Sequence, residues 1–333
     1  MSLEATHTPA LAGRAADDLP DEERLAAADE RAWLDLLARI SRQSVTKHFQ
    51  AYVDVAWDDP DFAIDPADPR FALPESDPLG ATAWYRTQPE AVRARIGLHM
   101  LATFMKIGVE FESTLKRGLL EYAAGLPNGS PEFRYVYHEV IEEAQHSLMF
   151  QEFVNRSGMV VDGLPGYARF FARGLPRLAR RFPELFFIFV LGGEDPIDHV
   201  QRAELHRGDR WAHPLVQRIS QIHVIEEARH LSFARAYLRR NVPKLGLIKR
   251  HLLRLRTPLI LGNMAGLMMQ PSAQIVREYG IPKATLREAY RGNRAYATAR
   301  YEALSKTRAL CAELGVIAPP YSALWRRFGI LRS

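Results

Sequence analysis

At 333 residues and a net charge of +5, the chain can bury a substantial core and is too evenly charged for a disordered polyelectrolyte. The single cysteine, Cys311, excludes an intramolecular disulfide and any CxxC-type metal site, which fits a reducing cytosol. The longest apolar runs, such as LFFIFVLGG over 185–193, are too short to cross a bilayer, and the polar residues 1–30 carry no secretory leader, so the expected location is the cytoplasm.

Residues 1–28 lack hydrophobic periodicity and read as a disordered tail. Apolar residues at helical spacing predict a first helix over 30–52. The Pro/Asp-rich stretch WDDPDFAIDPADPRFALPESDPLG, 57–80, cannot stay helical for long. From about Pro89 the pattern is helical almost to the end. Breaks are expected at LPNGSP (126–131), SGMVVDGLPG (157–166), RFPE (181–184), RGD (207–209), NVPK (241–244), QPS (270–272) and YGIPK (279–283). No alternating strand pattern follows residue 85, so the expected fold class is all-α, a helical bundle around one core, with one domain over 29–325.

Two segments, RFFARGLPRLARRF (169–182) and KLGLIKRHLLRLR (244–256), interleave cations with apolar residues. Helix amphipathicity alone accounts for both, and neither carries a nucleic-acid-binding motif, so no nucleic acid is expected as a partner. Contact with a membrane surface or an acidic carrier protein remains open for them.

The phrase VIEEAQHS, 140–147, returns as VIEEARHLS, 224–232. In each, a glutamate and a histidine stand at i and i+3, Glu143 with His146 and Glu227 with His230, and so project from one helix face. Flanking Val140, Met149, Val224 and Phe233 turn those faces inward. Buried carboxylates beside buried imidazoles are costly unless something pairs with them, and a metal ion can. A Glu-x-x-His from each of two helices plus one Glu from each of two others is the ligand set of di-iron and di-manganese carboxylate bundles. On the helix before the first phrase, Glu112 shares a stripe with Met105, Val109, Leu115 and Leu119, whereas Glu110 sits among polar residues; periodicity favours Glu112. Before the second phrase, Glu194 follows a strongly apolar run and is preferred to Asp195, with Pro196 warning of a kink. His223, Glu227 and His230 fall at 0, 4 and 7, within about 60° of arc on one helix, so His223 is a possible extra imidazole. The remaining histidines read as ordinary.

With those residues in place, the chain resembles the p-aminobenzoate N-oxygenase (AurF-like) family of non-haem di-iron enzymes. The likeness rests on the two Glu-x-x-His elements, on His223, Glu227 and His230 as a three-ligand helix, on GGEDPID (192–198) around Glu194, and on TRALCAELGV (307–316) as the last helix. It covers about 90–316. The resemblance implies a ferritin-like bundle with additional N- and C-terminal helices and a metal-binding core over about 90–241. It implies seven ligands, Glu112, Glu143, His146, Glu194, His223, Glu227 and His230. Behind them it places Glu142, Glu226 and Asp198 in supporting hydrogen bonds, and it gives Arg308 as a carboxylate partner for substrate. Where the family often has Asp before each ligand Glu, this chain has Glu142 and Glu226.

What the resemblance implies about activity is an O2-dependent monooxygenase holding two Fe ions, with Mn also compatible. Its reaction would be N-oxygenation of an arylamine through hydroxylamine towards nitro. With no GxGxxG fingerprint in the chain, electrons are expected from a ferredoxin or reductase. A small-molecule substrate and a homodimer complete the expected partners. The alternatives are a di-iron hydroxylase or desaturase of a lipid or carrier-bound substrate, and a ferritin-like iron-binding protein without catalysis. A ribonucleotide reductase small subunit would carry a tyrosine one turn beyond the first histidine, where this chain has Phe150.

Overall fold

The computed structural model describes residues 21–206 and 213–332. Among them there is no strand; the chain is all-α. Four long helices form the bundle: α3 (Glu90–Ala123), α4 (Pro131–Ser157), α7 (Pro183–His206) and α8 (Pro214–Asn241). They follow α1 (Asp21–Thr46) and the single turn α2 (Ala83–Arg86). Between α4 and α7 lie α5 (Gly166–Ala172) and α6 (Leu175–Arg181). α3 packs on α4 and α7 on α8, so two antiparallel pairs joined by a long crossover enclose the interior, the connectivity of ferritin-like bundles. After α8 come α9 (Leu247–Met268), α10 (Ala273–Glu278), α11 (Lys283–Tyr290), α12 (Arg294–Ala303), α13 (Ser305–Glu313) and α14 (Ser322–Arg327). α9, α12 and α13 cover the outer side of α7, and α1 closes over α4 and α8.

The bundle forms where local signals agree with packing. Pro131 and Pro214 start α4 and α8, where a missing N–H costs nothing. Gly158, at φ +64°, ends α4 in the left-handed conformation that glycine takes without penalty. α7 is buried almost all round, from Leu185 through Ile197, because α3, α8 and α9 press on it from different sides. Each such Leu, Ile or Phe contributes about 1.5–3 kcal/mol on burial. Among the described residues no helix is long and apolar enough to cross a membrane.

The expected breaks fall between helices, except RGD at 207–209, which lies outside the described residues. Two expectations at the N-terminus need correction. The helix begins at Asp21, so 21–28 are not part of a tail; residues 1–20 lie outside the described ones. It also stops at Thr46 rather than continuing to 52, because the next segment turns to hydrogen-bond the bundle: Phe49 N–H donates to Glu226 and Ala51 N–H to Gln145. Pro196 does not end its helix, and α7 runs through it.

The Pro/Asp-rich stretch holds only two short 3-10 turns, Pro60–Phe62 and Pro69–Phe71, each capped by the preceding aspartate. It lies against α3 at Gly97, where an added Cβ would come within 1.8 Å of the Phe71 carbonyl oxygen. Only glycine allows that approach.

A candidate dimetal centre

α3, α4, α7 and α8 each bring acids to the bundle interior, and α4 and α8 add histidines. Glu112, Glu143, His146, Glu194, His223, Glu227 and His230 are all buried and converge on one point. His230 Nδ1 lies 3.0 Å from carboxylate oxygens of both Glu227 and Glu143. His146 Nδ1 is 3.5 Å from Glu143 and 3.7 Å from Glu227. His223 Nε2 faces Glu227 at 3.8 Å, and Glu112 and Glu194 at 4.0 Å each. Four sets of three donors have their ligating atoms within 4.8 Å of one another: Glu112, His146 and His223; Glu143, His146 and Glu227; Glu194, His223 and Glu227; and Glu139, Glu143 and His230. Glu143, His146, His223 and Glu227 each belong to two sets, and of these only the two carboxylates have a second oxygen that could serve a second ion.

The helix periodicity that places Glu112 inside also sends its rival away. Glu110 meets Arg169 at 3.4 Å and accepts from the Leu164 N–H. Asp195, though buried, is held by Arg235 and Thr307, so Glu194 is the acid of α7 that enters the centre.

Each histidine is oriented from behind, and the two phrases do this for one another. His146 Nε2 pairs with Glu226 at 2.9 Å, and His230 Nε2 with Glu142 at 2.8 Å. With the outer nitrogen protonated towards a carboxylate, the inner Nδ1 keeps its lone pair for a metal. Arg229, itself buried, bridges the two outer acids, 2.7 Å from Glu142 and 3.4 Å from Glu226. His223 uses Gln201 instead, its Nδ1 2.9 Å from the amide oxygen. The expected role of Asp198 is corrected here. Its carboxylate turns outward to Arg202 at 2.6 Å and Lys306 at 3.4 Å, and Gln201, three residues on, faces the histidine. Arg308 is likewise not placed at the centre: it donates to the Tyr301 carbonyl and stacks on the Tyr301 ring, while its neighbour Thr307 points inward to Asp195.

The electrostatics show what this donor set lacks. Burial, then repulsion from Glu143, pushes the Glu112 carboxyl up to about 8. Burial and the neighbouring carboxylates raise Glu194 well above the carboxylate range, and burial raises Glu227. Burial would depress His146 and His230, yet their acidic neighbours raise both well above the usual imidazole value. Burial also opposes ionisation of Glu142, but the hydrogen bond from His230 and the charges of His230 and Arg229 hold it at about 2. Glu112 Oε1, both oxygens of Glu143 and of Glu194, Glu227 Oε2 and His146 Nδ1 are buried without a hydrogen-bond partner. Orphaned groups of this kind cost about 1–3 kcal/mol each, more when charged. Two divalent cations would partner all of them. The residues fit such ions: oxygen and imidazole donors with no thiolate suit Fe or Mn.

Three features had little or no signature in the sequence. Gln201 and Arg229 carry no metal-ligand signal. Glu139 did leave one: it stands four residues before Glu143, as His223 stands four before Glu227.

A helical bundle that turns two Glu-x-x-His helices and two single glutamates onto one buried point has the donor arrangement of the carboxylate dimetal proteins and could hold metal ions there. The chain belongs to the p-aminobenzoate N-oxygenase AurF family, which it matches over residues 30–315, and that family consists of di-iron oxygenases. Among curated proteins it is similar to Uncharacterized protein Rv0885 of Mycobacterium tuberculosis and Uncharacterized protein Mb0909 of Mycobacterium bovis. Each is 39% identical over 299 residues, covering 90% of this chain and 88% of the relative. No solved structure matches the chain significantly.

Proposed function

We propose that this protein is an O2-dependent di-iron oxygenase that oxidises the nitrogen of an arylamine to the hydroxylamine and on towards the nitro compound. The observation that carries the reading is His223: its Nε2 faces Glu112, Glu194 and Glu227, adding a third imidazole to the two Glu-x-x-His pairs. In this reading Glu112, Glu143, His146, Glu194, His223, Glu227 and His230 would hold the two metal ions. When bound, the two metal ions supply reductive activation of O2.

The first step balances as amine plus O2, two electrons and two protons giving hydroxylamine and water. The electrons come from an external ferredoxin or reductase. The protons have a route through this chain: Lys116 donates to the Ser147 hydroxyl, and Ser147 donates at 2.6 Å to Glu112 Oε2. Lys116 is only half-buried, so the chain links the outside to an interior carboxylate. Phe150, 5.3 Å between ring centroids from His223, sets an apolar ring beside the site, and Phe111, next to Glu112 in the chain, is tilted against Phe189 at 4.9 Å. Phe150 also has no hydroxyl to carry a radical of the ribonucleotide-reductase kind.

A second reading, hydroxylation or desaturation of a lipid or carrier-bound chain, draws on the surface. Phe170 and Phe171 are 67% and 71% exposed beside Arg169 and Arg173, and Leu247 and Ile248 are 86% and 79% exposed beside Lys249 and Arg250. One experiment separates the readings. Protein expressed with iron should hold close to two Fe per chain, and the reduced protein exposed to O2 should convert members of an arylamine panel to N-oxygenated products seen by mass spectrometry. Products from acyl chains alone would favour the second reading. Iron uptake with no oxidised organic product from either panel would leave an iron-binding protein.

A further inference from the structure

We propose that Glu139 is an eighth ligand of the dimetal centre, a carboxylate that closes on the ion held between Glu143 and His230. The inference rests on the dimetal reading above and adds a residue that the paired Glu-x-x-His elements do not include.

Glu139 lies on α4 one turn before Glu143 and is 0% exposed. Both of its carboxylate oxygens are buried without a hydrogen-bond partner among the described residues. Its ligating oxygen, one from Glu143 and a ring nitrogen of His230 lie within 4.8 Å of one another. That spacing suits three donors around one ion; among the described residues the nearest arginine, Arg229, is spent on Glu142 and Glu226, which leaves the His230 ring as the group of positive character facing Glu139. A neutral carboxyl resting on Tyr135, one turn earlier, would be the plainer account. The Tyr135 hydroxyl, however, is also buried and unpartnered, so the two do not pair.

The arrangement also extends the repeat between the two helices by one position. α8 presents His223, Glu227 and His230 at 0, 4 and 7; α4 presents Glu139, Glu143 and His146 at the same spacing. Each helix therefore offers three donors on one face. The difference is one of chemistry, an anionic oxygen on α4 against a neutral imidazole on α8. A harder, more negative set around one ion makes the two metal positions unequal and favours the more oxidised state there.

The test compares wild type with Glu139→Gln, which keeps the shape and removes the charge. Both are loaded anaerobically with Co(II) and Mn(II), and affinity is read by chelator competition, coordination by the Co(II) absorption spectrum. Wild type should take up two ions. Glu139→Gln should lose tenfold or more in affinity for one of them and change the Co(II) spectrum. The metal-free variant should melt no lower than metal-free wild type, since an unpaired buried acid has been removed. Unchanged affinity and spectrum would overturn the proposal; so would a metal-free variant that is destabilised while binding both ions normally, which marks a structural carboxylate. Should Glu139→Gln fail to fold, Glu139→Asp, which withdraws the carboxylate by one methylene, must show the same selective loss. Wild type that takes up no more than traces of either ion would bring down the dimetal reading itself.

Discussion

His146 is held from behind by Glu226, Nε2 to carboxylate oxygen 2.9 Å, and Glu226 belongs to the other copy of the repeated phrase. The reciprocal pair, His230 with Glu142 at 2.8 Å, completes a cross-brace between α4 and α8. The acid next to each ligand Glu thus serves the histidine of the facing helix. A carboxylate in that place fixes the tautomer and makes the inner nitrogen more basic. Glu226→Ala should therefore weaken metal binding by about 10–100-fold with the helices intact. Chelator competition alongside circular dichroism checks this; wild-type affinity would show that the brace does not tune the ligand.

Arg229 neutralises both outer acids in a buried setting. Replacing it with Met leaves two anions facing each other out of water, a change that costs about 3–5 kcal/mol when one partner of a buried pair is lost. Urea titration of Arg229→Met should show a midpoint shift of that size. A loss under about 1 kcal/mol would mean that the acids find other partners or take up protons.

Gln201 gives His223 a polar contact away from the centre, 2.9 Å from Nδ1. Gln201→Leu, similar in volume, should leave stability within about 1 kcal/mol yet reduce metal affinity by about tenfold, because the ring is then free to turn. The Co(II) spectrum of the variant should change with it. Identical spectra would place His223 outside the coordination sphere.

The pH dependence of the metal-free protein has a definite sign. Burial pushes Glu112 and Glu139 up to about 8, whereas a glutamate in an unfolded chain ionises near about 4.3. Between those values the folded protein keeps protons that the unfolded chain has released, so stability falls as pH rises. Glu194, Glu227, His146 and His230, all raised, act in the same direction; His223, lowered by burial, opposes them. Glu142, held at about 2, contributes stability throughout this window and loses it only at lower pH. The Tm of metal-free protein should therefore drop from about pH 5 to about pH 8, and Fe(II) or Mn(II) should reverse that slope by replacing the protons. A Tm rising with pH in the absence of metal would contradict this account.

Gly193 lets α7 come close to α3 beside the centre. A Cβ there would lie 2.2 Å from Phe111 Cζ, and Phe111 precedes Glu112. Gly193→Ala should cost about 1–3 kcal/mol by overpacking and should also loosen Glu112, seen as weaker metal binding. A fully stable variant with normal binding would show that the ring moves aside freely.

The sequence by itself determined whatever depends on neighbours within one helix. The i, i+3 spacing of Glu143 with His146 and of Glu227 with His230 was enough to put each pair on a face, and the apolar stripe was enough to choose Glu112 over Glu110. Glu194 and the helix breaks were legible for the same reason, since periodicity and proline act locally. Only the tertiary structure decided which partner each outer nitrogen takes. Asp198 and Gln201 lie less than one turn apart on α7, and nothing in their spacing says which one meets His223; the packing of α7 on α8 turns Gln201 inward and leaves Asp198 to Arg202 and Lys306. The start of α1 at Asp21 was hidden too, because DEERLAAAD, 21–29, carries no apolar stripe in the sequence. Helical periodicity fixes the face a residue occupies, but the contacts made across that face belong to another helix, and only docking of the two brings them into reach.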